Sequence, residues 1–310
     1  DNTKKYILSP SMLSVQRRTV LVTGGNGFLG SHMVRRLAAG GYDVLLAKRS
    51  TSSTARIADL MPGLRAFDLD RTPPEDIFTK NRIDVVLHCA TDYGLKQAPP
   101  SRVIDANLAL PLKLLELAVE NNTRVFFNTD TILDKRVSFY SLSKQQFREW
   151  LSVFSPRLVG INVALEHFFG PGDDATKFVS RMVADVVGGV DRIALTPGEQ
   201  KRDFIYIDDA ADAMMTIMER HSSMPNGFHS FDVGTGSKLS IREFMLLLAR
   251  LAGNAKTRLD FGAIPYRENE AMETHVDLSG LKALGWSPQV SLEEGLNRTI
   301  KAERARVARS

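Results

Sequence analysis

Apolar residues in the first half of the chain fall into two alternating rhythms. Short apolar runs at Thr19–Thr23, Val44–Ala47, Leu64–Phe67, Ile83–Cys89, Val125–Phe127 and Val159–Leu165 predict buried strands. Between the first two, Phe28–Ala39 carries Leu29, Met33, Val34 and Leu37 at helical spacing, and Gly40-Gly41 stops it. Val103–Glu120 and Tyr140–Phe154 read as further helices. Strands alternating with helices across short loops predict an α/β fold with a doubly wound parallel sheet. After about Gly170 the rhythm changes. Gly170-Pro171-Gly172-Asp173 reads as a turn, and Ser240–Glu243 and Ser291–Glu294 read as capping boxes that open helices. The expected organisation is a loose arm over 1–18, a sheet domain over 19–168 and a smaller, mostly helical C-terminal substrate lobe over 169–310. Segments near 203–220 and 229–235 are expected to return to the sheet domain.

Composition narrows the function classes. The 310 residues are 43% hydrophobic and 25% charged, ordinary values for a folded soluble chain. No uncharged apolar run reaches the length of a membrane span, and the first residues lack the apolar core of a signal peptide. The one cysteine, Cys89, leaves no intramolecular disulfide and no thiolate zinc cluster, so a reducing cytoplasm and no metal are expected. The net charge of +4 resides in the last helix and tail, where Arg298, Lys301, Arg304, Arg306 and Arg309 face only Glu303. With no aromatic residue among those cations, nucleic-acid binding is not expected.

Gly24-Gly25-Asn26-Gly27-Phe28-Leu29-Gly30 joins the first strand to the first helix. In that context Gly24 permits a sharp turn, Gly27 lets backbone approach a pyrophosphate, and Gly30 lets helix pack on strand. The first N–H groups of the helix then face the phosphates. The pattern predicts a Rossmann dinucleotide site. Its second strand ends Lys48-Arg49-Ser50, with cations and a hydroxyl where a carboxylate would take the ribose 2′-hydroxyl of NAD. That composition suits the 2′-phosphate of NADPH better than NAD. Asp68 and Leu69, after the third strand, are placed near the adenine, with Asp68 also able to cap a turn.

Tyr140 has a lysine four residues on, Lys144, so both project from one face of the predicted helix. A neighbouring ammonium is expected to lower the phenol's pKa and make it a usable proton carrier. Thr129 stands where the fifth strand ends, the favoured place for chemistry in an open α/β sheet, and its hydroxyl would polarise a substrate oxygen beside Tyr140. Other readings of these residues are a surface Tyr–Lys stack and a tight turn without a ligand.

Together with His88-Cys89-Ala90, Asn107, Gly170-Pro171-Gly172 and Arg202-Asp203-Phe204, these motifs resemble the extended short-chain dehydrogenases/reductases that act on nucleotide-diphosphate sugars. The likeness runs from about residue 19 to 300. Asn128–Thr131, Leu165-Glu166-His167, Gly198-Glu199-Gln200 and Phe261–Ile264 with Arg267, Asn269 and Glu270 further resemble the CDP-abequose/CDP-paratose synthase branch. That resemblance implies NADPH-dependent reduction of the C4 keto group of a CDP-linked 4-keto-deoxyhexose in deoxysugar (O-antigen) biosynthesis. In it Tyr140 is the proton donor, Lys144 holds the nicotinamide ribose and Thr129 orients the keto oxygen. It further implies that Cys89, Ala90 and Asn107 line the cofactor. Asp130, Thr131 and His167 would meet the substrate, and Lys177, Arg202 and Arg267 would grip its diphosphate.

The pair after the threonine, Asp130-Thr131, lacks the second carboxylate of the family's dehydratases, and a threonine cannot act as their general base. The loop from Thr129 to Tyr140 is also shorter than in most relatives. The resemblance implies a homodimer through helices 103–120 and 140–154. An NAD-retaining epimerase or dehydratase and a non-catalytic NADP-binding regulator stay open as alternatives.

Overall fold

The computed structural model describes residues 17–95 and 98–309, so the arm expected over 1–18 lies almost wholly outside the described residues. The first half builds β1 (Thr19–Thr23), α1 (Phe28–Ala39), β2 (Asp43–Lys48), β3 (Arg65–Asp68), α2 (Pro74–Lys80) and β4 (Val85–His88). There follow α3 (Pro100–Ile104), α4 (Leu110–Glu120), β5 (Val125–Thr131), α5 (Phe139–Phe154), β6 (Val159–Leu165) and β7 (His167–Phe169). The expected helix 103–120 is thus a broken one. A π-helical segment, Asp105–Ala109, separates α3 from α4, and α2 adds a helix the periodicity did not reveal.

The second half holds α6 (Phe178–Gly188), β8 (Arg192–Leu195), β9 (Lys201–Tyr206), α7 (Ile207–Arg220) and β10 (Gly227–Val233). It ends with β11 (Lys238–Ser240), α8 (Ile241–Leu251), β12 (Arg258–Phe261), α9 (Ser279–Ala283) and α10 (Leu292–Val307). The Ser240 box forms in both directions, whereas at α10 Ser291 accepts from the Glu294 amide and the return bond is not made.

Seven strands form one parallel sheet in the order β10-β6-β5-β4-β1-β2-β3. Its central strands are apolar on both faces because helices cover both: Val20, Val22 and Leu87 pack towards α1, and Leu21, Val86 and Phe126 towards α4 and α5. β10 adds the seventh strand from late in the chain, and α7 lies on α1, where Arg36 bonds Asp212 at 2.8 Å. Two small sheets, β11-β9-β7 and β12-β8, frame the second lobe.

Strand order reverses between β1 and β4, which opens a crevice at their C-terminal ends. Gly24 makes the turn into it at φ +67°, and a Cβ there would run into the backbone of Ala90 beyond β4. Among the described residues no helix is long and apolar enough to cross a membrane.

Candidate active site

The crevice is a cavity of about 580 Å³. One wall is the glycine loop with Gly24, Gly27, Phe28, Leu29 and Gly30; beside it lie Lys48 and Arg49 from the end of β2, and Cys89 and Ala90 from the end of β4. Thr129 and Asp130 come from β5, Tyr140 and Lys144 from α5, and Lys177 from the second lobe. The catalytic candidates and the phosphate loop, up to 120 residues apart in sequence, therefore share one space.

At its dinucleotide end, α1 starts at Gly27 with no side-chain cap and no acid in its first turn. Its leading N–H groups and the positive end of its dipole are thus left for an anion, and the residues present fit a pyrophosphate. Gly30 allows the close packing this needs, since a Cβ there would strike the Gly24 carbonyl. Ser50 points elsewhere. Its amide donates to Asp70 at 2.8 Å and its hydroxyl to Asp68 at 2.5 Å, a bond that holds the Asp68 carboxyl below its usual range. Ser50, Asp68 and Leu69 do not line the cavity.

At the reactive end, Lys144 is 1% exposed and donates to the Thr129 carbonyl at 2.9 Å. Burial lowers this ammonium to about 8, against which Asp130 works. Tyr140 moves the opposite way from the sequence expectation. Burial, then Tyr93, then Asp130 push its phenol well above the usual value; the opposing pull comes from the Thr131 side chain and not from Lys144. The cause is local: the lysine is committed to the strand carbonyl while the Tyr140 ring packs on Tyr93, with centroids 5.0 Å apart.

The Thr129 hydroxyl donates to the His88 carbonyl at 3.0 Å. His88 is fully buried, its Nδ1 pairs with the Thr23 hydroxyl at 2.8 Å, and burial drives its pKa well down, so the ring is a neutral brace. Burial pushes the Cys89 thiol up to about 12, so it is inert as a nucleophile.

Asp130 is almost completely buried and fully engaged. It takes Arg148 Nε at 2.6 Å, Asn162 at 3.0 Å and the Thr131 amide at 2.7 Å. Both of its oxygens are thereby committed to partners within the protein. Arg148 escaped notice in the sequence, although it continues the face of Tyr140 and Lys144 at a further four-residue step. Tyr93 lies in an irregular loop and gave no periodic signal.

Several expected site residues lie elsewhere. Asn107 faces inward rather than into the cavity: its amide bonds both the N–H and the carbonyl of Asp92 at 2.8 Å and the Ser143 hydroxyl at 3.0 Å, clamping the loop after β4 to α5. Thr131 does not line the cavity, yet its side chain reaches the Tyr140 phenol; it also opens onto a separate hollow of about 370 Å³ with Arg148, Asp232 and His275. His167 bonds Glu166 at 2.9 Å; burial works to raise Glu166, and that bond lowers it on balance. Arg202 is buried against Glu270 and the Lys201 carbonyl. Arg267 sits exposed in the loop after β12. Lys177, by contrast, does line the cavity, where it pairs with Asp173 at 3.0 Å and lies 4.4 Å from the centre of the Phe168 ring.

Residues 20–234 match the NAD dependent epimerase/dehydratase family. A CDP-abequose synthase of Salmonella muenchen is 30% identical over 298 residues, spanning 93% of this chain and 99% of that protein. A putative UDP-glucose 4-epimerase of Methanocaldococcus jannaschii is 25% identical over 309 residues, spanning 91% of this chain and 97% of that protein. Among solved structures, the UDP-glucose 4-epimerase of Thermotoga maritima with UDP-glucose superposes with a TM-score of 0.81 at 25% identity, over 93% of this chain and 99% of that one. A glycine-loop crevice at the strand reversal, a Tyr–Lys pair within it and similarity along nearly the whole length carry one conclusion: the chain is a nucleotide-sugar-modifying, nicotinamide-dependent enzyme of the epimerase/dehydratase family.

Proposed function

We propose that the protein is an NADPH-dependent ketoreductase that converts the C4 keto group of a CDP-linked 4-keto-3,6-dideoxyhexose to an alcohol. The observation that carries this reading is the meeting of Thr129, Tyr140 and Lys144 with the glycine loop in one cavity. The Gly24–Gly30 backbone would hold the pyrophosphate, Lys48 and Arg49 the 2′-phosphate, and Lys144 the nicotinamide ribose. When bound, the reduced nicotinamide supplies a hydride. Tyr140 supplies the proton: a phenol held well above its usual pKa is protonated at any working pH, and an alkoxide is a stronger base than the phenolate left behind. For Thr129 to polarise the keto oxygen, its hydroxyl must release the His88 carbonyl and turn into the cavity.

Dehydration is disfavoured because Asp130 is tied to Arg148 and the next residue is Thr131 rather than a carboxylate. The likeness to CDP-abequose synthase supports the CDP carrier. We assign the enzyme to the cytoplasm, a reading supported by its single cysteine, and to a homodimer built on α5.

Consumption of reduced nicotinamide, followed by its absorbance with NADPH and NADH against 4-keto sugars on CDP, dTDP, GDP and UDP, tests the reading. Oxidation of NADPH with the CDP-linked 3,6-dideoxy ketone is the expected result. Purified protein that carries oxidised NAD, consumes none and interconverts C4 epimers would establish the epimerase reading instead.

A further inference from the structure

The mouth of the cavity at the end of β2 holds a cation that no motif singles out. Arg56 is the middle residue of the short 3₁₀ turn Ala55–Ile57 and lines the cavity with Lys48, Arg49 and Ser52. Its backbone is anchored twice: Ile57 is fully buried, and Arg35 donates to the Arg56 carbonyl at 2.7 Å while gripping both oxygens of Asp59 at 2.6 Å. Its side chain crosses the cleft, where Nε and Nη2 donate to the Gly172 carbonyl of the opposite lobe at 3.2 and 2.9 Å. A guanidinium has five N–H donors, so that neutral carbonyl uses two and neutralises none of the charge.

No carboxylate hydrogen-bonds the Arg56 side chain among the described residues, although Asp173 and Asp174 act on it through space. Asp59 is held by Arg35, Asp173 by Lys177 at 3.0 Å, and Asp174 by Thr176 at 2.6 Å; Asp68 and Asp70 both accept from Ser50. The result is a positioned guanidinium with spare donors, on the same rim as two other cations.

We propose that Arg56 is the third arm of a clamp, with Lys48 and Arg49, for the 2′-phosphate of the dinucleotide. It would thereby be a determinant of NADPH over NADH, held ready at the cleft by the Gly172 carbonyl. The assignment rests on the NADPH reading above. A phosphate dianion gains charge-assisted, fork-like hydrogen bonds from a guanidinium, whereas the 2′-hydroxyl of NADH offers no charge to meet.

Equilibrium binding, read by calorimetry without any sugar substrate, tests it. NADPH, NADH, 2′,5′-ADP and 5′-AMP are titrated into the wild type, Arg56→Met and Arg56→Lys. The Met variant should bind NADPH and 2′,5′-ADP about ten- to a hundredfold more weakly. NADH and 5′-AMP should change by less than about twofold, which also reports that the variant is folded, and Arg56→Lys should recover part of the loss. If the wild type prefers NADPH and Arg56→Met keeps that preference, or loses NADH equally, Arg56 is a strut between lobes and the assignment falls alone. If the wild type itself shows no preference for NADPH, the cofactor reading has failed and takes the assignment with it.

Discussion

At the scale of single residues, two side chains carry separable predictions. Removing the Tyr140 hydroxyl deletes the proton donor and its interaction with the Thr131 side chain, while the ring can still pack on Tyr93. Tyr140→Phe should therefore lower kcat about 10²- to 10⁴-fold. Its Kd for NADPH should stay within about twofold of wild type, because no dinucleotide phosphate contact is assigned to the phenol. A steady-state assay beside a fluorescence titration separates the two quantities. Lys144 gives a pH signature. Its ammonium exists below about 8 and is lost above, so kcat/KM, which reports the free enzyme, should fall about tenfold per unit as pH rises past that value. Lys144→Met should be slow and flat over the same range. Stability runs the opposite way. Between about 8 and the ordinary lysine value the unfolded chain holds a proton the folded one has shed, so stability should rise with pH across that window in urea melts.

Elements decide whether those residues meet. α5 opens with a capping box in which Ser138 accepts from the Ser141 amide and the Ser141 hydroxyl accepts from the Ser138 amide, both at 3.1 Å. Tyr140 sits in that first turn, so the cap positions the phenol. Ser138→Ala should cost about 1 kcal/mol in a chemical melt, and should lower kcat while leaving NADPH affinity intact. This box went unread in the sequence because its partners are two serines rather than a serine and a glutamate. What could be read there was whatever depends on neighbours along the chain: β1, the span of α1, the glycine turn and the Tyr140–Lys144 spacing all lie within one local pattern. What could not be read depends on partners distant in sequence. The depressed phenol pKa was inferred from spacing four, yet the bond from Lys144 to the Thr129 carbonyl and the burial beside Tyr93 decide the pKa instead. Likewise Asn107 is expected from the sequence to line the cofactor, but its side chain clamps Asp92 and Ser143 instead, a matter of packing, as is the π segment that interrupts its helix.

For the whole molecule, α5 poses a question its own chain does not answer. One face, with Lys144, Phe147 and Leu151, is buried against the sheet. The other shows Phe139, Leu142, Trp150 and Val153 at one-turn and two-turn spacing, with Phe139 57% and Val153 70% exposed. The leucines of α4, which in sequence looked like the surplus, are buried or packed against the core, so the exposed apolar stripe belongs chiefly to α5, with Ile104 of α3 beside it. In an isologous pair each such residue is buried twice, which makes the arrangement sensitive to charge. The wild type should sediment as a dimer at micromolar concentration, and the double variant Trp150→Glu/Val153→Glu as a monomer with unchanged far-UV circular dichroism. Because the stripe and the Tyr140–Lys144 pair share one helix, the monomer should also lose kcat more than it loses NADPH affinity. A wild type that sediments as a monomer would mean that α5 tolerates this stripe in water, and the catalytic pair would then owe nothing to a second copy.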